Sequence, residues 1–535
     1  MRACHVSSHW RGPAVLHELF YYTVDLTLDT ASDNKFSELF KSLGRWVVDL
    51  DRASRYEQPL RIRLDLQQGH PGDWGTTPPP QLLVRVGQVL NDIGDLMNLV
   101  KHLALHVPSG YKGLIYDWLT AVPAPQLRSF ALGLDSSSFD WPAEAFALSA
   151  PLLRTVKLFE TSPPTVPPLA FERVSDVTIV VGAKACTPDR LSLVLSRSFP
   201  KAQHLTVWLE RIPLEWELWP AVNIDSVSVR VGNDTKFADW ELDRILERIE
   251  QEALRVMDLS LDRHMVTDFE KWLRPLDGLL AVTVERRDTL RPGLPPRKPS
   301  QRLGSIKPVA PGRNLDVVLT FVSVSKKERV LRFDDHASMP SLKAFGASSS
   351  LAERLARMDI EYQQLAQFLS SSPDIRRLAR LDVRLDDQYG QCERFWPGII
   401  IPYSNNYGDY KWAQIPCPAL AVVRLYSIRG MHDPANRSIV QPSALRKFAE
   451  DLDLVSLSKS RQPELRLSGI GLARAGLDNG RSAQETLAGF RSVDGDLGVR
   501  GLMPPGITSS SFSQWRSPPK RPQDSKWNPF PDTWE

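Results

Sequence analysis

The side chains best equipped for chemistry in this sequence are its histidines, cysteines and paired aspartates. His5 and His9 stand four residues apart, beside Cys4, a spacing that puts two imidazoles on one face of a helix. One such pair and one thiol are too few for a closed zinc site, which takes four ligands. His102, His106 and His264 add no second helical pair. The four cysteines, Cys4, Cys186, Cys392 and Cys417, are far apart and never fall as CxxC, so they suit a reducing compartment rather than a disulfide framework. Asp334-Asp335 and Asp386-Asp387 fall at the ends of expected strands, where solvated turn carboxylates are ordinary. General acid–base work needs two carboxyls facing one pocket at a set distance. The run from Gly469 through Gly471 to Gly476 misplaces its third glycine for a dinucleotide loop and reads as a turn. No G-x-S-x-G, Walker loop or H-E-x-x-H occurs. These residues assign no catalytic group, metal or cofactor, and the expectation is a non-enzymatic interaction protein.

Composition narrows the partners. The chain has 535 residues with a formal net charge of +3, too small an excess for a nucleic-acid-binding face. No apolar run reaches the roughly 18 residues that span a bilayer, and Met1 to Pro13 lacks an apolar leader core. An intracellular protein, cytoplasmic or nuclear, is expected, with neither nucleic acid nor membrane as partner. Proline is enriched, at 42 residues, which argues for frequent breaks between short elements.

The elements that position these residues recur. Short apolar-alternating segments lie at 99–107, 127–134, 152–158, 174–181, 204–209, 224–231, 254–261 and 279–284. Alternation marks each as a strand: Leu127, Phe130 and Leu132 or Leu134 turn inward, while Arg128 and Ser129 are free to face out. Helices fit between them at 114–122, at 189–199 behind Thr187-Pro188, and at 237–252. Trp216, Trp219 and Trp240 read as packing residues before interface anchors. The strands start roughly 21 to 30 residues apart, overlapping leucine-rich-repeat spacing. An ordinary α/β domain also alternates strands with helices and stays open at this point.

Residues 286–313 break the pattern with six prolines and eight Arg or Lys, and read as a linker or insertion. The scattered charges favour a solvated loop over a nuclear-localisation signal. A hairpin is expected over 315–322 and 328–333, then repeat-like strands at 342–345, 375–385 and 420–426, with helices over 351–369 and 442–454. From about residue 475 the chain turns to Gly, Ser and Pro and is expected to be disordered.

The amino-terminal stretch Cys4-His-Val-Ser-Ser-His-Trp-Arg-Gly-Pro-Ala-Val-Leu16, followed by Leu19-Phe20 and Tyr22-Thr-Val-Asp-Leu26, resembles the second half of an F-box. Val6, Trp10, Arg11, Leu19, Val24, Asp25 and Leu26 match that pattern, and Phe20 stands where Trp is usual. The F-box-like helix also accounts for His5 and His9 more simply than a metal does. Leu43-Gly-Arg-Trp46 and Pro59-Leu-Arg-Ile-Arg-Leu-Asp-Leu66 are similar to a segment of F-box proteins from mushroom-forming fungi, in which degenerate leucine-rich repeats follow. Pro123-Ala-Pro-Gln-Leu-Arg-Ser-Phe-Ala-Leu132 looks like their repeat entry.

The resemblance implies an α/β fold: an irregular leucine-rich-repeat-like solenoid of short parallel strands and helices, with a small helical F-box remnant at the N-terminus. The expected parts are a truncated F-box-like segment at 1–30, a solenoid at 31–285, the linker at 286–313, a hairpin with continued repeats at 314–474, and a tail at 475–535. It implies an adaptor that presents an unknown protein client to a cullin–RING ubiquitin ligase of SCF type. The Skp-type linker subunit would bind through Trp10, Leu19 and Phe20, which serve equally as core residues joining the remnant to the first repeat. The family's first F-box helix, L-P-x-E-L-L-x-x-I-F, has no counterpart here, so a linker contact of reduced apolar area is expected. A repeat scaffold with no ligase role is the rival reading.

Overall fold

The computed structural model describes residues 22–29, 59–67, 80–134, 139–161, 168–181, 198–209, 224–231, 253–261, 269–288, 315–333, 335–369, 375–385, 400–402, 410–412, 414–432, 438–472 and 487–495, with isolated positions between them. The fold is α/β and is built on one 17-stranded, mostly parallel sheet.

Nine strands open it: β1 (Tyr22–Asp29), β2 (Leu60–Gln67), β3 (Val100–Val107), β4 (Ser129–Leu134), β5 (Thr155–Phe159), β6 (Asp176–Val181), β7 (His204–Leu209), β8 (Ser226–Val231) and β9 (Val256–Leu261). Each pairs in parallel with the next. A parallel neighbour requires a crossover, and the segments between strands supply it. Helices α1 (Pro80–Asp95) and α2 (Lys112–Ala121) lie in two of these crossovers. In α1, Leu82, Val86, Val89, Leu90 and Ile93 recur at helical spacing and are all buried. The Trp118 indole of α2 donates to the Leu90 carbonyl of α1 at 2.6 Å.

The order then changes. β10 (Leu280–Asp288), β11 (Leu315–Ser323) and β12 (Glu328–Phe333) form antiparallel neighbours, the expected hairpin among them. It is β12, not β10, that lies in parallel beside β9. β10 lies instead beside β13 (Leu355–Glu361), also in parallel. The spatial order across this seam is therefore β9, β12, β11, β10, β13.

From β13 the parallel array resumes through β14 (Arg380–Arg384), β17 (Val422–Tyr426), β19 (Glu464–Ser468) and β21 (Ser492–Gly495). Two small pairs lie outside it: antiparallel β15 (Ile400–Pro402) with β16 (Tyr410–Trp412), and parallel β18 (Ser438–Val440) with β20 (Ile470–Leu472). Further helices among the described residues are α3 (Glu270–Leu273), α4 (Asp335–Gly346), α5 (Ser349–Arg354), α6 (Tyr362–Leu369), α7 (Ile428–His432) and α8 (Pro442–Asp451). Among the described residues no helix is long and apolar enough to cross a membrane.

One face of the sheet is apolar in every strand, as the period of two demands. A single row shows it: Ile62, Leu103, Phe130, Val156, Val177, Leu205, Val227 and Met257 occupy matched registers and are buried. Each fully buried side chain of this kind stabilises by roughly 1.5–3 kcal/mol. Aromatic rings continue this core into the crossovers. Phe130 meets Phe146 at 5.0 Å, and Phe171 stacks on Phe199 at 5.4 Å. At the seam Phe345 gathers Phe269, Phe321 and Phe368 within 5.1–5.4 Å. Arg329 of β12 also points into the apolar side, fully buried, and donates to the carbonyls of Leu254 and Glu328.

Several expectations shift. The single helix expected over 351–369 is α5, β13 and α6: Leu355, Met358 and Ile360 are drawn into a strand because β10 and β14 offer both of its edges. Residues 342–345 are helical within α4, where Leu342 and Phe345 pack on the sheet three residues apart. The expected linker start is also moved, since Arg286–Asp288 continue β10 and pair with Leu315–Val317. Within 475–535, β21 extends the sheet instead of belonging to a disordered tail. The helix expected at 237–252, nearly all of that at 189–199, and the amino-terminal F-box-like helix lie outside the described residues.

Candidate functional site

The face of the sheet opposite the apolar core carries the polar positions of every strand, and pairing registers bring them into rows. From β13 to β21 three rows form: Arg357, Arg380, Val422, Glu464 and Ser492; then Asp359, Asp382, Arg424, Arg466 and Asp494; then Glu361, Arg384, Tyr426 and Ser468. A strand buried on one face alternates in this way because only the core side is under apolar selection by packing.

The rows are linked by charge. Asp382 is 1% exposed and is held by the Arg357 guanidinium at 3.1 Å and by Arg380 Nε at 2.9 Å. Arg384 pairs with Glu361 on the adjacent strand. Arg466 pairs with Glu464 at 2.9 Å. The Tyr426 hydroxyl donates to Asp359 at 2.8 Å. The carboxylates sit low on the face and the guanidiniums stand over them, Arg357 being 51% exposed. Burial raises the Asp359 carboxyl above its ordinary 3.8, against the pull of the Tyr426 hydrogen bond. Burial, followed by Asp359, pushes the Tyr426 hydroxyl up as well.

Arg424 differs from its neighbours. It lies over the Tyr426 ring, 4.9 Å from the centroid, and its Nε reaches Ser468 Oγ at 3.4 Å. No carboxylate among the described residues lies within ion-pair distance of it. Its planar charge is thus set in place by stacking rather than by neutralisation.

At the other end, β2 and β3 place Asp65 beside His106, Nδ1 lying 3.0 Å from Oδ1. His102, two rows away, is pushed down to about 3 by burial and then by Arg61, Arg128, Lys101 and Lys157, which keeps it neutral near pH 7. Small residues, Ala104 and Ala131, lie between these groups with Phe159.

Of the residues singled out in the sequence, Trp10, Leu19 and Phe20 lie outside the described residues, as do His5, His9, Cys4, His264, Asp334, Asp386, Asp387 and the three tryptophans Trp216, Trp219 and Trp240. His102 and His106 lie on one strand face, not on a helix. Gly469 is a turn glycine, at φ +67°, between β19 and β20. Among the described residues no cluster of three or more His, Cys, Asp or Glu is arranged to hold a metal. The Arg–Asp–Tyr rows escaped the sequence reading. Their signal was present in the polar positions of the segments Arg357-Met-Asp-Ile-Glu361, Arg380-Leu-Asp-Val-Arg384 and Arg424-Leu-Tyr426.

Rows of this type can do recognition chemistry: guanidinium forks take carboxylates in two parallel hydrogen bonds, and an aromatic ring fixes the fork's plane. No family model matches the chain, and no curated protein is significantly similar to it.

Proposed function

We propose that this protein is an F-box-like substrate-recognition adaptor, with a leucine-rich-repeat-like solenoid that binds a protein client on its strand-lined face. The observation that carries the client-binding part is the sheet itself: successive strands are neighbours in order, their inner sides form one core, and their outer sides carry a shared polar surface. Stacked repeats of this kind recognise proteins over extended faces. Side-chain recognition there is provided by the arginine-rich rows of β13 to β19.

The ligase half of the proposal is drawn from the F-box-like residues Trp10, Leu19 and Phe20. Its test is co-purification of the full-length chain with a purified Skp-type linker subunit. Retention of the linker, reduced by Trp10→Ala, supports the adaptor. Failure to retain it, with the chain folded, removes the ligase role and leaves a client-binding scaffold.

A further inference from the structure

We infer that Arg424 is the anchor on this face for a carboxylate of the bound protein, an acidic segment laid across β14, β17 and β19. The inference rests on the reading of the strand face as client-binding and names the chemistry of what it takes. The surrounding guanidiniums have carboxylate partners on the sheet: Arg357 and Arg380 on Asp382, Arg384 on Glu361, and Arg466 on Glu464. Arg424 has a ring beneath it and a hydroxyl beside it instead. Arg424 is half-buried, its guanidinium lies over the Tyr426 ring and its fork has no carboxylate among the described residues of the sheet, so an acid of the bound protein is the complementary partner.

The neighbours restrict what that acid belongs to. Glu464 lies one strand away and Asp494 stands at the end of the same row. A continuous polyanion such as a nucleic-acid backbone meets these carboxylates as well as Arg424. A single Glu or Asp side chain flanked by neutral residues meets only the cation. Tyr426, held by Asp359, keeps the guanidinium plane fixed before the partner arrives, which lowers the ordering cost of binding.

The test uses the full-length chain and a fluorescein-labelled peptide with one central Glu flanked by Ser and Gly, with its Gln counterpart, read by anisotropy at low ionic strength. The glutamate peptide is expected to bind saturably and the glutamine peptide far more weakly. Arg424→Gln is expected to weaken the glutamate peptide about tenfold or more, the loss of one charge-assisted pair. Arg424→Lys, which keeps the charge and the fold but not the planar fork, is expected to fall between. Arg85→Gln, on α1, serves as the remote control with binding unchanged. Equal binding of the two peptides, or equal binding by wild type and both Arg424 variants, overturns the anchor. Tighter binding of a single-stranded oligonucleotide that is likewise lost in Arg424→Gln overturns the choice of an acidic protein segment. Loss of the anchor with linker co-purification retained removes this inference alone; the reverse pattern removes the ligase reading alone.

Discussion

The hydroxyl of Tyr426 donates to Asp359 at 2.8 Å across the intervening strand β14, so one hydrogen bond ties the third strand of this stretch to the first. Replacing Tyr426 by Phe removes that bond and keeps the ring beneath Arg424. The variant is expected to lose roughly 1–2 kcal/mol of stability at pH 7, as for a hydrogen bond to a charged acceptor. Chemical denaturation measures it, and peptide binding through Arg424 is expected to survive.

Asp359 also sets a pH dependence. Its carboxyl is raised above 3.8 in the folded chain, by burial first and by Asp382 in the same direction, with Tyr426, Arg384 and Arg357 opposing. The folded state therefore binds this proton more tightly than the unfolded state. The stability linked to it is complete below pH 3.8 and is lost as pH rises through the folded pKa. Asp359→Asn has no such loss. Melting temperatures of variant minus wild type should become more positive from pH 4 towards neutrality and then level off. A difference that shrinks with rising pH contradicts the assignment.

At the seam, Arg332 of β12 grips Asp258 of β9 through two nitrogens, with Arg332 Nη2 2.7 Å from Oδ2. Both side chains are mostly buried, at 15% and 19% exposure. A double-mutant cycle with Arg332→Gln and Asp258→Asn is expected to return a coupling of about 1 kcal/mol or more. Zero coupling means that the strands are held here by backbone bonds alone.

Gly469 sits at φ +67°, and a Cβ there would come within 2.5 Å of Met431 N and Ser427 O. Both are backbone atoms and neither can swing aside. Gly469→Ala is expected to cost about 2 kcal/mol or more, combining left-handed strain with the clash. Gly471→Ala, with nothing within 4 Å of the built Cβ, is the matched control and should cost much less.

The Trp118 indole bond to Leu90 O fastens α2 to α1 from a buried site. Trp118→Phe removes this second bond to a carbonyl that already serves the α1 backbone, and is expected to lower stability by roughly 1 kcal/mol. Hydrogen exchange should localise the loosening to the two helices.

Strands were legible in the sequence wherever apolar residues alternated between turn signals. Residues 204–209 were read with the same limits as β7, and 224–231 began only two residues before β8. β13 was not legible, because Leu351, Leu355 and Met358 also fit a helical stripe and only the edges of β10 and β14 decide between the two. The seam order was equally hidden, since the pairing of β12 with β9 depends on contacts far apart in the chain. The candidate site was written in plain view at alternate positions, yet Arg424 acquires its meaning only through register: the carboxylates next to it are already taken by Arg357, Arg380 and Arg466.

The reversal between β9 and β13 has a consequence for how the molecule can be divided. The proline-rich stretch after Asp288 looks like a natural place to cut, but each side of that cut keeps hold of the other's strand. β10 belongs to the leading portion and lies against β13, while β12 belongs to the trailing portion and lies against β9. The two portions are spliced like overlapping fingers, so severing the polypeptide there leaves a clasped pair, and producing either portion alone strips a neighbour from the other.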